Sequence, residues 1–109
     1  MLITIVELPE FQKYSAKILT KQEKDDLFYY LASNPTTGDL IKSTGGIRKL
    51  RWKAQGKGKS GGSRIIYFFY NENMPLFLLT LFTKNQKINL SNSERDELAK
   101  LTNILLKNY

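Results

Sequence analysis

Arg64-Ile65-Ile66-Tyr67-Phe68-Phe69-Tyr70, then Asn71-Glu72-Asn73, then Leu76-Phe77-Leu78-Leu79-Thr80-Leu81-Phe82-Thr83: the reading of this stretch decides the fold. Both runs are β-branched, aromatic or leucine-rich, and the Asn-Glu-Asn between them is turn chemistry, so they read as two strands joined by a turn. They lack the polar alternation of a half-exposed strand. Strands apolar at nearly every position are central ones, covered on both faces. The longest apolar run, Leu76 to Phe82, is about a third of a membrane span, so the cover comes from protein.

Working outward, the preceding run Ile47 to Lys53 does alternate. Arg48, Leu50 and Trp52 point one way and Lys49, Arg51 and Lys53 the other, which sets three cations side by side opposite the core-facing Leu50 and Trp52. Gln55 to Ser63 is a Gly/Lys hairpin loop. Further upstream, Pro35 to Gly46 is loop-like, carrying Thr36-Thr37-Gly38-Asp39 and Ser43-Thr44-Gly45-Gly46. At the N-terminal end Leu2 to Val6 reads as a short strand, and Pro9 opens a helix to about Leu19 with Leu8, Phe11, Ser15 and Ile18 on one stripe. Thr20 and Glu23 have capping-box spacing, so a second helix begins near Lys21. It carries Leu27, Phe28 and Leu31 and stops before Pro35. Downstream, Ser91 and Glu94 repeat the box and open a helix with Leu98, Leu101 and Leu105 at helical intervals. The order is β-α-α-β-β-β-α. It describes one α+β domain over residues 1–109, an antiparallel sheet packed by helices.

The chain has 109 residues, 17 Lys and Arg against 10 Asp and Glu, and neither His nor Cys. Disulfides, thiolate metal sites and Ser-His-Asp chemistry are thereby excluded. The first residues, Met1-Leu2-Ile3-Thr4-Ile5-Val6-Glu7, lack the basic start, apolar core and cleavage site of a secretory signal, which predicts a cytoplasmic protein. Net charge is +7, and all of the excess lies between Leu40 and Asn71. Lys42, Arg48, Lys49, Arg51, Lys53, Lys57, Lys59 and Arg64 stand there with no Asp or Glu. A field concentrated in this way attracts polyanions, RNA above all in a cytoplasm, rather than serving only as a solvated face.

Gly58-Lys59-Ser60 matches the end of a phosphate-loop pattern, but the position of its first glycine is Lys53 and a strand follows instead of a helix, so a nucleoside triphosphatase is not expected. The ten carboxylates show no paired spacing in the basic segment, which leaves no two-carboxylate hydrolase and no magnesium cage there. Arg64 opens one apolar strand and Lys84 follows the other. Beside Lys49 and Arg51 they form a candidate shared anion site. Most of the aromatic residues are assigned to the core, with one or two left to stack on unpaired bases.

Asn34-Pro35, Gly38-Asp39-Leu40-Ile41, Gly45-Gly46-Ile47-Arg48-Lys49-Leu50-Arg51, the string from Gly56 through Arg64-Ile65-Ile66-Tyr67, and Leu78-Leu79-Thr80 with Lys84-Asn85 together resemble the HigB branch of the RelE/ParE toxin superfamily. The likeness runs through nearly the whole chain. It implies a RelE-like fold and the toxin half of a bacterial toxin–antitoxin pair: a ribosome-dependent endoribonuclease that cuts translated mRNA by attack of the 2′-OH on the adjacent phosphate, without metal or other cofactor. A lysine among cations can act as general base, and arginine can stabilise the charge that builds on the phosphate. Carried over by position, the catalytic set is Lys49, Arg51, Arg64 and Lys84. Lys49 is the base candidate, Arg64 the phosphate clamp, and Lys84 a second phosphate contact or the proton donor to the leaving oxygen. Arg48, Lys53, Lys57, Lys59 and Phe82 are the expected contacts to RNA or the 70S ribosome, with Phe82 standing where relatives place a stacking ring. The implied partners are a HigA-like helix-turn-helix antitoxin, the ribosome with its mRNA, and operator DNA through the toxin–antitoxin complex. The ParE branch shares the fold and poisons DNA gyrase, so a gyrase-directed toxin and a non-catalytic RNA- or ribosome-binding module are the competing readings.

Overall fold

A computed structural model describes residues 3–56 and 62–109. Along the described chain run β1 (Ile5–Glu7), α1 (Pro9–Ile18), α2 (Lys21–Ser33), β2 (Asp39–Leu40), β3 (Ile47–Trp52), β4 (Ser63–Phe68), β5 (Leu76–Thr83) and α3 (Asn92–Lys107). They form one sheet in the order β1-β5-β4-β3-β2. Strands β2 to β5 are antiparallel neighbours, as expected, but β1 lies parallel to β5, with Ile5 beside Leu76 and Glu7 beside Leu78. The sheet is therefore mixed. The α1–α2 pair carries the chain from β1 across the sheet to its opposite edge, and parallel pairing needs such a long crossover. The first strand also begins later than Leu2, at Ile5, and β2 is a two-residue strand inside what reads as loop.

The capping signals translate directly into helix starts. The Glu23 N–H donates to the Thr20 hydroxyl at 3.1 Å and the Thr20 N–H to the Glu23 carboxylate at 2.9 Å. The same reciprocal pair joins Ser91 and Glu94 at the head of α3. Glu23 has a further task, since its carboxylate accepts from the N–H groups of Gln55 at 2.9 Å and Gly56 at 3.0 Å. Burial works against its charged form, but the backbone donors of Thr20, Gly56 and Gln55 outweigh that and hold the carboxyl below its ordinary value.

Side-chain alternation sorts the core into two layers. Phe11, Leu27, Leu31, Trp52, Ile65, Tyr67, Leu76 and Leu78 pack under α1 and α2. On the other face Ile47, Ile66, Phe68, Phe77, Leu79 and Phe82 meet Leu98, Leu101 and Leu105 of α3. This double cover is why β4 and β5 carry no polar face. The indole N–H of Trp52 is satisfied by the Glu23 carbonyl at 3.0 Å, so the largest side chain of β3 is buried without an orphan donor.

Candidate functional site

The pairing of β3 with β4 sets Arg51 directly opposite Arg64, and that of β2 with β3 sets Asp39 opposite Lys49. Residues paired in this way project to the same face. Asp39, Lys49, Arg51 and Arg64 accordingly line a cleft of about 920 Å³ on the α3 side of the sheet, with Thr37 at one wall and Ile88 and Asn89 at the other. Two guanidinium groups facing each other across a ladder are unfavourable for folding alone, and a bound polyanion relieves the repulsion. The Lys49 ammonium donates to the Asn89 side-chain oxygen at 2.7 Å, tying the middle of β3 to the segment that leads into α3.

The wall carrying Thr37 and Asp39 is held from behind. Tyr67, fully buried in β4, donates its hydroxyl proton to the Pro35 carbonyl at 2.8 Å and accepts the Gly38 N–H at 2.9 Å. Burial pushes the Tyr67 phenol above its ordinary value against the opposing pull of the Gly38 N–H, so it stays a donor. Arg48, on the Leu50 and Trp52 side of β3, donates to the carbonyls of Thr36 at 3.1 Å and Gly38 at 2.8 Å. A methyl group on Gly38 would stand 2.9 Å from the Tyr67 ring and hydroxyl, so only glycine lets the loop close on that clamp.

A family model described as the RelE toxin of the RelE / RelB toxin-antitoxin system matches residues 10–109. The chain belongs to the RelE toxin family. All residues lining the cleft of this RelE toxin lie within the matched range. Its sheet, covered by helices on both faces, agrees with a RelE-like architecture. Among its described residues no helix is long and apolar enough to cross a membrane.

Of the catalytic candidates in this RelE toxin, the structure brings together Lys49, Arg51 and Arg64. Lys84 sits apart from that lining, exposed in the turn after β5, where its N–H meets the Gly62 carbonyl at 3.3 Å. Lys53 corrects the expectation of three cations in a row. β3 ends at Trp52, where the Ser63 hydroxyl donates to the carbonyls of Trp52 and Lys53, and the Lys53 ammonium turns to Asp26 of α2 at 3.2 Å. Phe82 is also corrected as a stacking surface. It is 3% exposed and packed into the α3-side core, with the Lys87 ammonium 5.1 Å from its ring centre. Arg48 is committed to the Thr36 and Gly38 carbonyls, and Lys57 and Lys59 lie outside the described residues. Four cleft residues, Thr37, Asp39, Ile88 and Asn89, were not singled out by pattern. A signal for Asn89 was present in the Ser91–Glu94 box, which fixes where α3 starts and so obliges the preceding residues to cross the sheet face.

Proposed function

We propose that this RelE-family toxin is a metal-independent endoribonuclease of HigB-like type, cutting mRNA on the ribosome in the cytoplasm and neutralised by a HigA-like antitoxin that carries it to operator DNA. The observation that supports this most is the convergence of Lys49, Arg51 and Arg64 on one face of β3 and β4, in a cleft of about 920 Å³. A phosphodiester entering it exchanges water for two forked guanidinium donors and an ammonium.

The chemistry needs a proton removed, a charge stabilised and a leaving group protonated. The ribose 2′-oxygen attacks the neighbouring phosphorus, losing its proton to a base, for which Lys49 is the candidate. The phosphorane carries an extra negative charge, which Arg51 and Arg64 are the candidates to stabilise. Expulsion of the 5′-oxygen, protonated by solvent as it departs, leaves a 2′,3′-cyclic phosphate and a free 5′-OH, so neither a water nor a metal-bound group is needed as nucleophile. Lys84, on the turn beyond β5, is assigned to the RNA backbone away from the scissile bond.

The test is primer extension on an mRNA in a purified translation system with the toxin added, ribosomes present or omitted. New 5′ ends in phase with codons and dependent on ribosomes are expected. Cutting in both lanes makes the protein a free ribonuclease. The absence of new ends in either lane removes the nuclease reading and turns attention to gyrase supercoiling and RNA binding.

A further inference from the structure

Beyond the Lys49–Asn89 hydrogen bond the cleft continues into a second, smaller cavity of about 350 Å³. Asp39, Lys49 and Asn89 line both spaces, so this bond stands as the partition between them. The walls of the smaller chamber are otherwise Leu40, Ile41, Leu90 and Arg95. Its volume lies in the range of small-ligand sites, which are mostly apolar with a few placed polar groups. Ile41 and Leu90 are its apolar side chains, both part of the α3-side core, whereas Leu40, paired with Arg48, points its side chain to the other face.

The polar groups are of fixed kind. Asp39 makes no ion pair among the described residues, although Lys49 is its partner across the ladder, because the Lys49 ammonium is turned to Asn89. Its carboxylate is an acceptor only. It is also well placed: β2–β3 pairing sets its register, and the Tyr67 and Arg48 clamp on Gly38 fixes the residue before it. Arg95, which donates to the Asn92 side chain, adds a cation at the outer end.

Unpaired RNA bases are read on their Watson–Crick edges, stacked on flat or apolar surfaces. Guanine alone presents two adjacent donors there, N1–H and the N2 amino group, matching the two oxygens of one carboxylate. Adenine and cytosine set one amino group beside a ring nitrogen acceptor, and uracil flanks one N–H with two carbonyl oxygens, each of which a carboxylate repels. We infer that the smaller chamber is a base-reading subsite selective for guanine: Asp39 accepts from N1–H and N2–H, Ile41 and Leu90 take the ring, and Arg95 meets the flanking phosphate. The guanine belongs to a nucleotide neighbouring the scissile phosphate in the larger cleft, and the assignment rests on the endoribonuclease reading.

Two measurements test it. The methyl signals of Ile41 and Leu90 are followed by NMR as GMP, AMP, CMP and UMP are added in turn. GMP is expected to shift them with a Kd roughly tenfold below that of UMP, as one bidentate base contact provides. Asp39→Asn, an exposed substitution, is expected to erase that preference. Equal shifts from all four nucleotides, or a guanine preference that survives Asp39→Asn, would overturn the subsite. In the translation reaction the wild-type cuts are expected to carry guanine at a constant offset, with the enrichment lost in Asp39→Asn. Cuts without any guanine enrichment also overturn it. If nothing is cut, the endoribonuclease reading falls, and the nucleotide titration still decides whether the chamber selects guanine.

Discussion

Arg51 and Arg64 face each other directly across β3 and β4, two like charges at one rung of the ladder. A sheet gains nothing from that arrangement. Replacing Arg51 by Gln removes the repulsion and is expected to raise folding stability by roughly 0.2–1 kcal/mol at low salt, the gain shrinking as salt screens the pair. The same change is expected to cut mRNA cleavage by about a hundredfold, the usual cost of a lost transition-state donor. Urea unfolding and primer extension on one preparation check both signs, and a loss of stability together with intact cleavage would contradict the assignment.

The Lys49–Asn89 bond yields a prediction about coupling. Asn89→Ala frees the ammonium to sample other rotamers and is expected to slow cleavage by about tenfold, a modest penalty for imprecise placement. In the Lys49→Ala background the second change should have no further effect, since its target is already gone. A double-mutant cycle on the cleavage rate measures this, and additive losses would show that Asn89 acts independently of Lys49.

Tyr67→Phe retains the ring and deletes only the hydroxyl. The Gly38 N–H and Pro35 carbonyl then lose their buried partner, which is expected to cost about 1–3 kcal/mol in urea unfolding. Since Gly38 immediately precedes Asp39, the variant is also expected to respond less to GMP while retaining its overall fold by circular dichroism.

Glu23 links stability to pH. Its carboxyl sits below the ordinary value of 4.5 in the folded protein, so the folded state favours the charged form. The stabilisation is complete above the unfolded value and is lost as pH falls through the lower folded one. Glu23→Gln is therefore expected to destabilise by about 1–2 kcal/mol at neutral pH through the lost cap and loop acceptor, with the gap to wild type closing in acid. Urea curves taken at several pH values read this directly. A gap that widened in acid would reverse the assigned sign.

Much of this was legible in the chain. The Thr20–Glu23 and Ser91–Glu94 spacings located two helix starts, and the unbroken apolar character of the runs at Ile65 and Leu76 announced strands buried on both faces. Period-two alternation put Lys49 and Arg51 on one side of β3 and Leu50 and Trp52 on the other. Lys53 escaped that rule because the strand stops one residue earlier, where the Ser63 hydroxyl takes up the Trp52 and Lys53 carbonyls and Gly62 packs so close that a Cβ there would lie 2.3 Å from the Trp52 carbonyl. Asn89 and Asp39 were hidden for another reason. One reaches Lys49 from forty positions away, and the other belongs to a strand too short to show any period.

The parallel pairing of β1 with β5 also has a consequence in time. Ile5 waits for Leu76, so the first strand synthesised finds its partner only after about two-thirds of the chain has been made. Contacts of such long sequence separation are the slow ones in folding. Arg51 and Arg64 can be brought together by a local hairpin, but β5, the strand that pairs with the outer edge of β4, is the last of the sheet to leave the ribosome. A nascent chain therefore carries its cations well before it has a sheet to hold them in place, and the toxin's producer is exposed to a finished cleft only once translation of the chain is nearly over.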